Sequence, residues 1–292
     1  MRNLGAFARL VRLPAALTGP GDSLAGAAAA SWPMGRRTAL LPISSALIYW
    51  AGMALNDYAD RELDAVERPE RPIPSGAVSP REALGVAVAL ALLGVGVAAL
   101  AGGRRAVAAA LPLVGTVWAY DLVLKPTRFG PVMMATARGL DVLLGAATGS
   151  WQRAVPAALT VATHTFTTTV LSRDEVHGSR NGVVGSLAVA GTASAAVAST
   201  VVGAGGGAGG WLPRVVGAGL ATLYVGSVAS AQDKARRSRS AADVRRAVGS
   251  SVIGTIPLQA ALVARSGGIV TSLALAGLLP VARRLTRRVS AT

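Results

Sequence analysis

The stretch LNDYADRELDAVERPERPIPSG at positions 55–76 holds six of the chain's fourteen carboxylates. Asp57, Asp60 and Asp64 recur at i, i+3 and i+7, which on a continuing helix sets them within an arc of about 60° at 100° per residue. Asn56 stands one residue earlier, at the edge of that face. Three carboxylates so placed repel one another unless a cation lies between them. Hard oxygen donors of this kind suit Mg²⁺, which takes a few carboxylates and fills its octahedron with water and phosphate oxygens. The chemistry expected of the array is therefore the handling of a magnesium–diphosphate complex. In an ordinary solvated loop these acids would pair with Arg61, Arg68 and Arg71. Against that, the array begins where a long apolar run ends, and ionisable groups at membrane depth are costly enough to mark function.

The elements that must position these groups are membrane helices. The chain of 292 residues is 52% apolar, contains 35 glycines and has a mean hydropathy of +0.49, too apolar throughout for an ordinary soluble domain. Runs long enough to cross a ~30 Å hydrocarbon core, at ~20 residues each, recur along its whole length. The spans expected are Leu13–Ser31, Ala39–Asn56, Ala83–Ala101, Ala106–Leu124, Pro131–Gly149, Ala154–Leu171, Val183–Gly203, Trp211–Ser230 and Val248–Ala264. Gly268–Ala282 is either a short tenth helix or half of a broken ninth. The fold class is all-α: a polytopic membrane bundle of about nine helices, forming one integral-membrane domain over 1–292.

With the N-terminus in the cytoplasm and Gly268–Ala282 treated as a crossing, 21 of the 29 Lys and Arg fall on the cytoplasmic side, seven outside or, for Arg214, at the outer end of a span, and Arg138 within a span. The net charge of +15 thus reports membrane topology and attraction to the lipid bilayer rather than nucleic acid. The longer polar connections, 56–82, 172–182 and 231–247, all fall on that side, so the active site is expected to face the cytoplasm, in a bacterial plasma membrane. The Gly-rich segment 201–210 reads as an external turn. The first apolar run has no convincing cleavage site and reads as the first helix. The absence of cysteine excludes disulfides and thiolate metal sites.

NDYADRELD (56–64) followed by RPIPSG (71–76) resembles the first Asp-rich signature of the UbiA superfamily of intramembrane prenyltransferases, N-D-x-x-D-x-x-x-D and then R-P-x-x-x-G. RLVRLPAALTGPGDSLAG (9–26) is similar to that family's opening helix, and YDLVLKPTRFG (120–130) to its Tyr and Lys segment. The family's second Asp-rich motif should follow the sixth span, where the chain reads LSRDEVHGSRNG (171–182). Here Glu175 stands in place of the first metal-binding Asp and Ser179 in place of the second, with Asp174 and His177 nearby, which marks a divergent branch.

The resemblance implies a Mg²⁺ cofactor held by Asn56, Asp57, Asp60, Asp64, Asp174 and Glu175, with Asp57, Asp60, Asp174 and Glu175 catalytic. It further implies a prenyl diphosphate substrate contacted by Asn56, Arg71, Lys125, Arg128 and Arg173. Breaking its allylic C–O bond puts negative charge on the leaving group, which cations stabilise, and positive charge on the hydrocarbon, which an apolar chamber with π-faces shields. Tyr49, Trp50, Trp118, Tyr120 and Phe166 are the candidate walls, Tyr120 and Phe166 foremost. Asp22, Arg138 and Asp141 also lie within spans. Arg138 and Asp141, at i and i+3, are expected to pair with each other, their functional alternative being an acceptor or diphosphate contact. His164 is expected to bond a neighbouring helix.

These residues point to a Mg²⁺-dependent prenyltransferase that ionises a polyprenyl diphosphate and alkylates an acceptor. Aromatic acid, quinone precursor, sugar and lipid phosphate are all compatible acceptors. The altered second motif also suits a terpene cyclase of the same superfamily, which needs no acceptor. A non-catalytic carrier or transporter explains the spans but not the spacing of the acids.

Overall fold

A computed structural model describes residues 4–11, 18–32, 35–202 and 210–289. Every regular element among them is helical. Residues 13–17 of the expected first span and residues 203–209 of the glycine-rich turn lie outside the described residues. In chain order the elements are α1 (Leu4–Leu10), α2 (Gly19–Ala29), α3 (Leu40–Ala59), α4 (Arg61–Glu67), α5 (Pro80–Ala119), α6 (Gly130–Gly145), α7 (Trp151–Ser172), α8 (Val183–Val201), α9 (Trp211–Ser238), α10 (Ala241–Arg265) and α11 (Ile269–Val289). Five stretches among the described residues are long and apolar enough to cross a membrane.

One of those five, Pro80–Leu124, contains two of the expected spans. Gly102 (φ −142°) and Gly103 (φ 58°) leave helical geometry there, and the left-handed backbone at Gly103 is one that glycine adopts without a Cβ penalty. The two arms fold back on each other: Ala98 and Ala101 share a packed cluster with Ala106 and Ala110, and Ala83 and Ala87 share one with Trp118. The expected short turn at 102–105 is thus present. Its first arm starts at a capping box in which Ser79 Oγ accepts from Glu82 N–H and the Glu82 carboxylate accepts from Ser79 N–H, satisfying two otherwise orphaned amides.

The stretch Gly268–Ala282 belongs to a full helix rather than to half of a broken one. Val263 packs near Gly268, while Ile256 shares a cluster with Leu279 and Ala282. As the partner in α10 moves back along the chain the partner in α11 moves forward, so α11 returns antiparallel along α10.

Small residues set the spacing of the helices that carry the site. A Cβ on Gly26 would meet the Val142 carbonyl oxygen at 1.8 Å, and one on Gly145 would meet that of Ser23 at 1.8 Å. Both positions therefore require glycine, and α2 and α6 cross with their backbones in contact. That crossing is what brings Asp22 on α2 to Arg138 on α6.

Candidate active site at the motif end of the bundle

The first motif sits where α3 ends and α4 begins. Asp60 joins the two helices, its amide bonding Asn56 O at 2.9 Å and its carbonyl accepting from Asp64 N–H at 2.8 Å, so the helical path runs nearly unbroken and the acids keep their order along it. Their partners divide them. Arg71 Nη1 donates to Asp57 Oδ1 at 2.9 Å and to Asp64 Oδ2 at 3.0 Å, whereas Asp60 faces the Lys125 ammonium. Asp57 and Asp64 are buried. Arg71 reaches them because the chain turns sharply behind it: Ser75 N–H bonds Arg71 O at 2.9 Å, and Gly76 takes the left-handed backbone (φ 74°) that closes the turn.

Lys125 follows a five-residue π-helical segment, Tyr120–Leu124, a geometry often found at functional sites. Within it Asp121 is buried and accepts from Asn56 Nδ2 at 3.2 Å. Tyr120 shares its surroundings with Asp121, Asp60 and Arg173. The second motif is tied to this segment through Arg173, at the end of α7, whose guanidinium donates to Thr127 O. Arg128 is exposed and stacks over Phe129 with 5.0 Å from guanidinium carbon to ring centroid.

In the second motif the Ser179 hydroxyl donates to Asp174 Oδ2, and Ser179 N–H bonds Arg239 O at 2.9 Å. Gly178 (φ 76°) presses against that same turn between α9 and α10, where a Cβ would lie 2.5 Å from Arg239 O. Glu175 is half-buried between Arg245 and Arg68. Burial pushes its carboxyl up from the usual range, against the opposite pull of the two guanidinium groups. Arg68 belongs to the first motif's loop, so its positive charge acts on an acid of the second motif.

The donor set fits a hard cation in charge and chemistry. Arg71 Nη1 stands between carboxylate oxygens of Asp57 and Asp64, the kind of position a divalent ion takes, and an ammonium stands on Asp60. Among the described residues no three His, Asp or Glu side chains converge on one point. The single carboxylate face expected from helical spacing is instead divided, because Arg71 and Lys125 approach it from different sides.

Beneath this rim lies a chamber of about 270 Å³ between α3, the second arm of α5 with the π-helical segment that continues it, and α6. Its motif end is lined by Asn56, Tyr120 and Asp121, its middle by Tyr49, Gly52 and Val117, and its far end by Ser45, Arg138 and Asp141. Tyr49 and Tyr120 are the expected aromatic walls that line it. Phe166 is not among the lining residues, which corrects its expected place. It lies on the other side of α6, in an open apolar groove between α6 and α7, because α7 packs against the face of α6 that carries Gly139. The expected pairing of Arg138 with Asp141 is also replaced. Arg138 Nε pairs with Asp22 Oδ2 at 2.8 Å, and Asp141 Oδ2 accepts from Ser45 Oγ at 2.7 Å. Asp121 and Ser45 are site residues that the sequence reading missed. Asp121 carried the signal already used for Asp141, an acid inside an apolar run, whereas a serine in a membrane helix carries none.

The sequence profile of the UbiA prenyltransferase family matches residues 13–250. A digeranylgeranylglyceryl phosphate synthase of Methanopyrus kandleri is 44% identical over 119 residues, which are 40% of this chain and 43% of that protein. The match thus spans less than half of that relative's length. A solved structure described as digeranylgeranylglyceryl phosphate synthase in membranes superposes with a TM-score of 0.67 at 16% identity, over 91% of this chain and 99% of that one. A UbiA homologue from Archaeoglobus fulgidus bound to DMAPP and Mg²⁺ gives a TM-score of 0.57 at 15% identity, over 83% and 98% of the two chains. At such identities the structural likeness shows the fold, and the profile shows the lineage. The chain is an integral-membrane helix bundle that belongs to the UbiA prenyltransferase family.

Proposed function

We propose that this protein is a Mg²⁺-dependent intramembrane prenyltransferase that ionises a prenyl diphosphate at the cytoplasmic rim and transfers the allylic group to an acceptor hydroxyl in the chamber below. The observation that carries the reading is the adjacency of a rim of acids and cations to a chamber lined at that end by Asn56, Tyr120 and Asp121. Asn56, Asp57, Asp60 and Asp64 from the α3–α4 junction, with Asp174 and Glu175 from the loop after α7, would hold magnesium. That ion supplies Lewis-acid stabilisation of the leaving diphosphate.

The chain's own residues do the rest. Arg71, Lys125 and Arg173 bring positive charge to the diphosphate oxygens as the allylic C–O bond lengthens. Arg128, exposed at the same end, adds attraction at the entrance. Tyr49 and Tyr120 present π-faces to the hydrocarbon cation. The packed helices keep out the water that would quench it. The names of the curated relatives support an alcohol as the nucleophile, since the product they name joins prenyl chains to a glyceryl unit. The positive-inside pattern supports a rim that faces the cytoplasm.

The test is mass spectrometry of products formed by the purified full chain from C10, C15 and C20 diphosphates, with magnesium or with chelator, and with or without membrane extract as an acceptor source. The reading expects an acceptor-dependent prenylated product that chelation abolishes. A cyclic hydrocarbon or alcohol from the lone diphosphate would instead establish a cyclase. No release of pyrophosphate under any of these conditions would reduce the protein to a carrier.

A further inference from the structure

Arg265, the last residue of α10, is the one Lys or Arg among the described residues whose side chain is buried. It is 5% exposed, its Nε is sealed without a hydrogen bond, and its side chain forms no ion pair with any described residue. Asp22 and Asp141 also have an oxygen without a hydrogen bond, but Gln259 donates to the first residue and Ser45 to the second. Arg265 has neither. An unpaired charge withdrawn from water is among the costliest features a folded chain carries, and at membrane depth it marks function.

Neither ordinary role of a terminal arginine fits it. A cation in the last turn of a helix commonly donates to the free carbonyls there. Those of Leu262, Val263 and Ala264 already accept from the amides of Ser266, Gly267 and Gly268 at 2.9 to 3.2 Å. The side chain lies instead on α9, where a Cβ on Gly217 would stand 2.6 Å from Arg265 Cδ. Snorkelling buries the stem and keeps the head in water, whereas here Nε is dry. No protein carboxylate is at hand either. α10 starts beside Arg239, whose carbonyl accepts from Ser179 N–H of the second motif. Arg265 ends that helix, about 36 Å away at 1.5 Å per residue, at the end of the bundle opposite the motifs. With the orientation set by the positive-inside pattern, that side holds seven arginines and none of the fourteen carboxylates. Asp22, bonded to Gln259 earlier on α10, is already taken by Arg138.

A counter-ion has to come from outside the chain, and the depth indicates its kind. Trp211 opens α9 and is 73% exposed, while the Trp32 ring stands 3.5 Å from the place of a Cβ on Gly268. Tryptophans gather at the head-group level of a bilayer, and Gly217 follows Trp211 along α9 by about 9 Å. Phosphate oxygens are the anions of that level, and a guanidinium fork matches two of them. Arg214, exposed one turn nearer that end and three residues before Gly217, brings a second positive charge to the same side of α9. We propose that Arg265, seated on Gly217 between α9 and α10 with Arg214 at its entrance, is a binding site for a phosphate oxyanion, carried by a lipid head group or free in solution. The site is separate from the acids and cations of the motif end and takes no part in their chemistry.

The experiment uses the full chain in a phosphate-free maltoside detergent. Thermal unfolding and native mass spectrometry are followed as phosphatidylglycerol, a diacylglycerol with the same acyl chains, or inorganic phosphate is titrated in. Phosphatidylglycerol should raise Tm saturably and be retained at one molecule per chain, as a ligand that binds only the folded state does, whereas diacylglycerol should do neither. Arg265→Met should weaken that affinity at least tenfold, since a buried hydrogen bond to a charged group is worth roughly 10- to 100-fold. Without lipid this variant should melt no lower than the parent, because an uncompensated charge has gone. Gly217→Ala keeps the guanidinium but displaces its stem, and should weaken the same affinity roughly threefold or more by spoiling the bidentate fit. An Arg265-dependent rise in Tm with inorganic phosphate supports the site and assigns it to the soluble anion; a rise with phosphatidylglycerol alone supports it and assigns it to lipid. Three results overturn the proposal: diacylglycerol as effective as phosphatidylglycerol, affinity unchanged in both variants, or an Arg265→Met protein that melts lower by the same amount with and without phosphatidylglycerol.

Discussion

Two polar constellations are buried between the membrane helices, and they differ in whether they are complete. The first joins α7, α8, α9 and α10. The Ser251 carbonyl can only accept, so His164 Nε2, 3.0 Å away, carries the ring proton, and Nδ1 accepts from Tyr224 OH at 2.8 Å. Gln232 Nε2 donates to Ser251 Oγ at 3.0 Å, and Thr192 Oγ1 donates to Gln232 Oε1 at 3.0 Å. Each hydrogen-bonding atom named here meets a partner, as a device for joining helices in lipid requires. The second constellation, where α2, α6 and α10 meet at the far end of the chamber, leaves Asp22 Oδ2, Asp141 Oδ1 and Gln259 Oε1 without a hydrogen bond. Closure of a network marks a structural role, whereas this crossing holds its polar groups at the cost of unmet hydrogen bonds.

The widest separation between rim and network comes from Lys125. Lys125→Met removes the ammonium from Asp60 and from the developing diphosphate charge. Pyrophosphate release should drop about 10²- to 10³-fold, the usual effect of deleting one transition-state charge partner, with thermal stability little changed. Tyr224→Phe inverts that pattern. It strips His164 Nδ1 of its donor and should lower unfolding stability by about 1–3 kcal/mol, read as a fall in Tm, while turnover of the folded protein holds.

The smallest effect concerns pH. Burial raises the Glu175 carboxyl above its ordinary value, so its charged form persists only above that raised value and is lost as pH falls through it, earlier than for a typical glutamate. Magnesium binding that depends on this carboxylate is full on the alkaline side and weakens on the acid side. Glu175→Gln should remove that acid limb from the pH dependence of magnesium affinity, and an unchanged limb assigns the titration to another group.

The same contrast explains what the amino-acid sequence discloses. The acids of 56–64 are legible because their spacing is local and helical, and the expected helices recur because each apolar run is its own signal. The turn at 102–105 is equally plain from its paired glycines. The i, i+3 arithmetic that pairs Arg138 with Asp141 fails because the true partner, Asp22, arrives through a crossing of α2 on α6 that rests on Gly26 and Gly145. No one-dimensional pattern announces such a contact. Phe166 is misplaced for a related reason: it shares a helix with the second motif but points to a different side of α6. The division of Asp57 and Asp64 from Asp60 depends on where Arg71 and Lys125 enter, which the helical wheel does not contain.

The most direct test of the central claim is pyrophosphate release from a prenyl diphosphate as a function of magnesium concentration, for the parent chain and for Asp57→Asn and Asp60→Asn separately. The account predicts saturable, magnesium-dependent release by the parent, and at least a hundredfold loss in both variants with the helical fold intact. Release that needs no divalent ion, or that survives both substitutions, contradicts it.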